Sequence, residues 1–138
     1  MSEQDNRALV ERGYEAFGRG DIEALLALFH ENVEWVTPGP SDLPTAGRRR
    51  GRQQVAEFFE TVNSLYEIQR FEPEAFVSEG DRVVVLGNET SRVKATGKLL
   101  DMRWVHVFTV RNGKVAAFEE YQELSAVVAE LRQVQSRT

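Results

Sequence analysis

The sequence contains no cysteine and only two histidines, His30 and His106. Disulfides and thiolate metal sites are therefore excluded, and a histidine-rich metal site is excluded with them. No apolar run approaches the roughly 20 residues that span a membrane. The first residues also lack the basic-then-apolar order of a signal peptide. We expect a cytoplasmic protein that uses neither a metal nor a cofactor.

Basic residues are also few, since 17 Lys and Arg stand against 22 Asp and Glu, which gives a net charge of -5. Nucleic-acid binding needs a clustered basic face, so we expect neither nucleic acid nor membrane among the partners. The chain has 138 residues and is 41% hydrophobic. These values are typical of one soluble domain, over residues 1–138, with a single core.

Apolar residues at helical spacing predict three helices in the first half of the chain. The first helix covers about 3–19, and Asp21 caps the second. The second helix carries apolar residues at i, i+3, i+4 and i+7, which are Ile22, Leu25, Leu26 and Phe29. A short strand, VEWV, and a loop with three of the four prolines follow. A third helix then carries an apolar stripe from Val55 to Leu65.

In the second half of the chain, strand-type segments separated by short turns replace the helical spacing, which predicts a meander. It contains four successive strands, at about 68–77, 81–95, 99–111 and 114–124. Asn112-Gly113 is a strong hairpin signal between the last two strands. A closing helix begins at about Ser125. Helices followed by such a meander predict an α+β fold, in which the helices pack on one face of a curved antiparallel sheet.

Both alternating sets of side chains in the strand at 104–110 are largely apolar. Each set faces one side of the sheet, so the second face is also expected to be buried. Another copy of the chain covers such a face most simply. We therefore expect a homodimer that forms through the outer face of the sheet.

The same hairpin carries polar residues toward its apolar side. Strand alternation places His106 on the face of Trp104 and Phe108, and it places Glu120 on the face of Phe118. A slip of one residue in strand register would bring other carboxylates inward instead, namely Glu119 and Glu123.

The order of these elements resembles the NTF2-like superfamily, in its SnoaL-like and ketosteroid-isomerase-like branch. The segments that carry the resemblance are the first helix, GDIEALLALFHENVEW, the proline-rich loop, GRQQVAEFF and a meander ending in VFTVRNGKVAAFEEY. The resemblance implies a cystatin-like cone whose sheet curls around a pocket closed by the helices, and usually a dimer through the outer sheet face. The superfamily includes isomerases, polyketide cyclases, epoxide hydrolases, dehydratases and non-catalytic members, so the fold alone does not assign a function.

Ketosteroid isomerases place three functional groups at positions that differ in this chain. Their general-base aspartate corresponds to Thr37, which cannot serve as a base. Their oxyanion-binding tyrosine corresponds to Gly13, with Tyr14 one place away, and their oxyanion-binding aspartate corresponds to His106. The resemblance therefore does not imply steroid isomerisation by that mechanism.

Two other branches direct attention to carboxylates. Epoxide hydrolases similar to limonene-epoxide hydrolase place an Arg-x-Asp and a later Asp at positions that fall on Gly87, Glu89 and Glu120. The arginine is missing, so that triad is incomplete. SnoaL-like cyclases place a single acid/base aspartate at the position of Glu120, which is the better match.

The resulting hypothesis is a small-molecule acid/base enzyme that cyclises, isomerises or hydrates an apolar organic substrate. Glu120 is the expected proton carrier, His106 its orienter or an oxyanion donor, and Glu89 a second acid. The expected substrate-binding residues are Trp35, Tyr14, Phe17, Thr37, Phe58, Trp104 and Phe108.

Alternatives stay open at this point. His106 and Glu120 could form a buried ion pair that only fixes strand register, and one bulge would turn Glu89 to solvent. The whole domain could bind a hydrophobic ligand without any chemistry. The arginines of GRRRGR are expected in a solvated turn that enters the third helix.

Overall fold

The computed structural model describes residues 2–136. The elements in chain order are α1 Glu3–Gly18, α2 Ile22–Leu26, β1 Phe29–Thr37, β2 Gly47–Arg50, α3 Arg52–Leu65, β3 Tyr66–Glu79, β4 Arg82–Val93, β5 Leu99–Arg111, β6 Lys114–Gln122 and α4 Ser125–Ser136. The predicted α+β class is confirmed. No helix within the described residues is both long and apolar enough to cross a membrane.

The six strands form one curved sheet in the order β2-β1-β6-β5-β4-β3. Strands β3 to β6 form the predicted antiparallel meander. The sheet as a whole is mixed, because the last strand of the meander returns beside β1 and runs parallel to it. Bulges interrupt β3 twice, between Ile68 and Arg70 and between Pro73 and Ala75. Bulges bend the strands that contain them, which fits the curvature of the sheet.

Two expectations for the first half of the chain are wrong. The second helix ends at Leu26 rather than reaching Phe29, which instead begins β1. Pairing with β6 replaces the helical bond there, since the backbone N–H of Val115 donates to the carbonyl of Leu28. Residues 47–50 were expected in a solvated turn, but they form the edge strand β2, where Arg49 pairs with Trp35. The arginines alternate between the two sides of this edge strand rather than forming one cluster.

The core consists of two groups of packed side chains. The larger group lies between helices α1 to α3 and the concave face of the sheet, and its least exposed members are Val33, Val55, Val83 and Val85. The smaller group includes Tyr66 and Met102 from the sheet, together with Val127 and Leu131 from α4. Helix α4 therefore packs at one end of the cone and completes its wall there.

Candidate active site

The cone surrounds a cavity of about 130 Å³, room for on the order of ten water molecules. Its walls are mostly aromatic and aliphatic, as in typical small-molecule sites. The polar residues on its lining are Tyr14, Thr37, Thr45, Tyr66, Glu89, His106, Glu120 and Gln122. The cavity therefore combines an apolar shell with a small number of titratable groups.

His106 and Glu120 face each other across β5 and β6, and His106 Nε2 lies 2.9 Å from Glu120 Oε2. A bulge sets this register. Next to the turn, Val110 pairs with Val115, but Thr109 pairs with Ala117, so the pairing shifts by one residue. Without that shift, His106 would face the residue before Glu120. The bulge therefore selects which carboxylate enters the cone.

The competing carboxylates of the same strand end lie outside the cavity. Glu119 is exposed, and it accepts a hydrogen bond from the Tyr121 hydroxyl at 2.7 Å. Glu123 accepts hydrogen bonds from the backbone and side chain of Ser125, just before α4. The alternative register weighed from the sequence is thus not the one that the chain adopts.

Helix α1 adds a third member to the pair. The Tyr14 hydroxyl lies 2.7 Å from His106 Nδ1, so both ring nitrogens of His106 have partners. When Nε2–H donates to Glu120, Nδ1 of the neutral ring accepts from the Tyr14 hydroxyl. Burial, reinforced by the Glu120 charge, raises the pKa of Tyr14 far above its ordinary value, so the phenol keeps its proton. Tyr14, His106 and Glu120 therefore form one hydrogen-bonded chain.

Trp104 supports His106 from behind rather than forming a cavity wall. Its indole stacks on the imidazole with ring centroids 3.9 Å apart and planes 10° apart, and it is 2% exposed. The sequence predicted Trp104 as a substrate-binding residue, but it is absent from the cavity lining. Gly87 leaves room for the indole, since a Cβ there would lie 2.3 Å from a Trp104 ring atom. The indole thus occupies the space beside the position where the hydrolases carry their arginine.

Glu89 reaches the cavity from β4. Its Oε2 accepts a hydrogen bond from the Ser91 hydroxyl at 2.8 Å. Burial raises the pKa of Glu89 to about 7, the Glu120 charge adds to the rise, and hydrogen bonds from Ser91 and Gln122 oppose it. Near neutral pH, Glu89 is therefore protonated in a large fraction of molecules.

The Tyr66 phenol interacts electrostatically with both carboxylates. Its pKa rises to about 12 through burial first, and then through the charges of Glu89 and Glu120. The two carboxylates and this phenol accordingly lie close enough to interact electrostatically. Tyr66 and Gln122 were not anticipated. Gln122 follows Glu120 by two residues on the inward set, which was a usable signal, whereas nothing in the sequence marked Tyr66.

The remaining expected wall residues line the cavity, and these are Trp35, Phe17, Thr37, Phe58 and Phe108. Trp35 stacks on Phe118 with centroids 3.8 Å apart. The Thr37 hydroxyl donates to the carbonyl of Thr45, which ties the end of β1 to the proline-rich loop. The Arg49 guanidinium donates to the carbonyls of Pro44 and Thr45 and fixes the same loop.

Within residues 2–136, no group of three or more His, Cys, Asp or Glu side chains is arranged to hold a metal ion. The titratable groups on the described cavity lining are two carboxyl groups, two phenols and one imidazole. Their individual roles stay predictions.

Comparison with known proteins places this arrangement in a family. The model of the SnoaL-like domain matches residues 10–118. Uncharacterized protein Rv0034 of Mycobacterium tuberculosis is 30% identical over 122 residues, which cover 88% of this chain and 91% of that protein.

Solved structures agree with the family match. An NTF2-like protein from Burkholderia xenovorans is 39% identical, with a TM-score of 0.84, and the match covers 94% of this chain and 97% of that one. TerC, crystallised with polyporic acid, is 30% identical, with a TM-score of 0.82 and coverage of 91% and 96%. The chain belongs to the SnoaL-like family of the NTF2-like superfamily.

Proposed function

We propose that the protein is a cofactor-independent acid/base enzyme that acts on an apolar organic carbonyl compound in the cone. The observation that carries this proposal is the unequal pair of carboxyl groups on one cavity. Glu120 is held by His106 at 2.9 Å, whereas burial raises the pKa of Glu89 to about 7. Carboxyl groups whose environments differ in this way commonly divide the roles of base and acid.

The proposed reaction begins with removal of a proton from the carbon next to the substrate carbonyl. Glu120 accepts that proton, the C–H electrons form a carbon–carbon double bond, and Glu89 gives its proton to the carbonyl oxygen. The product of this step is a neutral enol. In an unsaturated ketone the enol is a dienol, and delivery of the Glu120 proton to its far carbon, with return of the O–H proton to Glu89, completes an isomerisation. Alternatively, the enol carbon attacks a second carbonyl and closes a ring, while its O–H proton returns to Glu89 and the Glu120 proton passes to the new alkoxide. Acid/base groups of this kind contribute about 10²–10⁴-fold to a rate.

His106 and Tyr14 act as positioning residues in this scheme. Both nitrogens of His106 have partners, Glu120 on one side and Tyr14 on the other. A direct oxyanion contact from His106 would break one of these two bonds. The orienting role expected from the sequence therefore suits the geometry better than the role of oxyanion donor.

The SnoaL-like family match supports a small organic ligand for this cavity, as does the ligand crystallised with TerC. That ligand belongs to TerC, and the molecule bound by this chain depends on this chain's own lining. The cytoplasmic location stays a prediction, which cell fractionation would check.

Proton exchange at carbon tests the proposal without knowledge of the natural substrate. The probe is acetylnaphthalene, an aromatic methyl ketone, incubated with the protein in deuterated water and followed by mass spectrometry. We expect methyl deuteration above the buffer rate, and a loss of about 100-fold or more in Glu120→Gln. Glu119→Gln, one residue away on the other face, should exchange like the wild type.

A non-catalytic ligand-binding domain is the second candidate. It is favoured by one observation, namely that Thr37 stands where the isomerases carry their base and is bonded to Thr45. In that case, acetylnaphthalene would bind but would exchange no faster than in buffer. Binding without exchange would thus replace the first proposal with the second.

We also propose a homodimer through the outer face of the sheet. Leu86, Val105 and Tyr121 lie side by side on β4, β5 and β6 on this face. Leu86 is 43% exposed and Tyr121 is 55% exposed in the single chain. A second copy would bury this stripe, and sedimentation at micromolar protein should therefore give twice the mass of one chain.

A further inference from the structure

The charged residues of the cavity lining are all acidic apart from His106. Glu89 and Glu120 both reach the cavity, and no Lys or Arg is found among the described residues that line it. The apolar lining between these groups lowers the dielectric around a bound ligand, which strengthens charge interactions there. A ligand in this cavity therefore meets carboxyl groups without a facing cation.

His106 does not offset this acidity for a ligand. Its Nε2 faces Glu120 at 2.9 Å, and its Nδ1 faces the Tyr14 hydroxyl at 2.7 Å. Trp104 covers one ring face at 3.9 Å between centroids. An anionic ligand would have to replace one of these partners to bind the imidazole.

Arg49 is a candidate cation, because it contacts Thr37 and Phe58 of the lining, and it is also engaged. Its guanidinium donates to the backbone carbonyls of Pro44 and Thr45 and to the Thr37 hydroxyl. It also lies over the ring of Phe58, 4.9 Å from the centroid. These contacts fix the proline-rich loop at the cavity, and Arg49 itself is not part of the lining.

We infer that the cavity selects uncharged carbonyl compounds and rejects their carboxylate counterparts, and that Glu89 and Glu120 are the groups responsible. A neutral carbonyl can accept a hydrogen bond from the protonated form of Glu89. A carboxylate in the same place would face a like charge on Glu120, and like charges in a low dielectric disfavour binding strongly. This inference rests on the proposed function, and it narrows the substrate class from apolar organic molecules to neutral ones.

A matched pair of probes tests this inference, namely acetylnaphthalene and naphthoate. They share one ring system and differ in whether a methyl ketone or a carboxylate is attached. Calorimetric titration near pH 6, where naphthoate is ionised and most Glu89 keeps its proton, should give at least about tenfold weaker binding of naphthoate to the wild type. In the double variant Glu89→Gln and Glu120→Gln, the difference between the two probes should shrink severalfold.

Two further variants keep the test sharp. Arg49→Gln should leave the preference unchanged, because the arginine contacts the loop rather than the ligand. Glu119→Gln removes one acidic charge from the outer face and should also change nothing. Circular dichroism and binding of acetylnaphthalene would show that each variant is folded.

The outcomes separate this inference from the proposed function. Equal or tighter binding of naphthoate to the wild type overturns charge selection. If that binding were lost in Arg49→Gln, the arginine would be identified as an anion site. Rejection of naphthoate that persists in the double variant also overturns it, since the carboxyl groups would not be the cause. If neither probe binds the wild type, both the proposed function and this inference fail. Charge selection without proton exchange leaves the inference standing and removes only the catalytic proposal.

Discussion

The two faces of the β5–β6 hairpin differ in chemistry although they share the same two strands. The inner face carries His106, Glu120 and Phe118, packed against aromatic rings and paired through hydrogen bonds. The outer face carries Val105 and Tyr121, with apolar surface left partly exposed. Within the single chain, polar groups are thus buried with partners, while an apolar stripe remains open.

This difference shows that the alternation of side chains along a strand does not by itself decide which face is polar and which is apolar. A buried polar group is tolerated when its hydrogen bonds are satisfied, as with the Tyr14, His106 and Glu120 chain. An exposed apolar stripe across neighbouring strands marks a surface that another molecule covers. We therefore expect a small ligand on the inner face and a second copy of the chain on the outer face.

The largest difference between the faces is expected for two aromatic residues of β6. Phe118 is 4% exposed and stacks on Trp35, whereas Tyr121 is 55% exposed on the other face. Phe118→Ala should lower the free energy of unfolding by about 3–5 kcal/mol, because it leaves a cavity in the core. Tyr121→Ala should change it by no more than about 0.5 kcal/mol in the monomer. Urea unfolding at low protein concentration measures both, and similar losses would contradict the assigned faces.

The next effect depends on pH and sharpens the inner face. The pKa of Glu89 is raised from 4.5 to about 7 in the folded protein. Between these values the folded state binds more protons than the unfolded state, so stability falls as pH rises through about 7. Glu89→Gln removes this loss and should be more stable than the wild type by about 3 kcal/mol near pH 8, with little difference near pH 4.

Thermal unfolding across this pH range would check the Glu89 prediction. Glu119→Gln is the matched control, because Glu119 lies on the outer face with an exposed side chain. It should follow the pH profile of the wild type. A constant offset between Glu89→Gln and the wild type at every pH would show that Glu89 is not protonated in the fold.

A smaller effect is expected behind His106. A Cβ at Gly87 would lie 2.3 Å from Trp104 and 2.7 Å from the carbonyl of Glu72. Gly87→Ala should therefore cost about 1–3 kcal/mol and displace the indole that stacks on His106. Gly18→Ala is the control, since nothing lies within 4 Å of a Cβ there. Unchanged stability and an unchanged His106 imidazole NMR signal in Gly87→Ala would refute the supporting role of Trp104.

The smallest effect on folding is expected on the outer face. Leu86→Lys changes an exposed residue, so the free energy of unfolding of the monomer should stay within about 0.5 kcal/mol of the wild type. Self-association should weaken strongly, because the lysine charge would be buried against a second copy. Gln53→Lys adds the same charge on α3, outside the sheet, as a control. Sedimentation velocity would distinguish them, and a dimer that survives Leu86→Lys would place the interface elsewhere.

The sequence predicted the element order well because apolar periodicity and turn signals are local. The meander and the hairpin at Asn112-Gly113 follow from such signals, and both turn residues have positive φ as this type of hairpin requires. The edge strand β2 could not be predicted, since four residues with three arginines form a strand only because β1 pairs with them. Phe29 is a second such case, because its spacing fits a helix but its pairing with β6 places it in β1.

The candidate site could be predicted in part, because strand alternation is also a local signal. Alternation from Phe118 predicted that Glu120 points inward. The bulge was not predicted, and the structure shows it between the inward positions Val115 and Phe118, which lie three residues apart. Alternation also predicted the correct face for Trp104, but it did not show that the indole lies behind His106 rather than on the cavity lining. The position of the indole depends on Gly87 in the neighbouring strand, which leaves room for it. No pattern along one strand reveals such a contact between strands.

Carbon-13 NMR titration of the glutamate carboxyl groups tests the central claim most directly, namely that Glu89 and Glu120 are unequal acids on one cavity. We expect one resonance that titrates with a pKa of about 7 and disappears in Glu89→Gln. The charge of Glu120 adds to that rise, so Glu120→Gln should lower the pKa of the same resonance. A wild-type spectrum in which every glutamate titrates near its ordinary value of about 4.3 would contradict the division into acid and base.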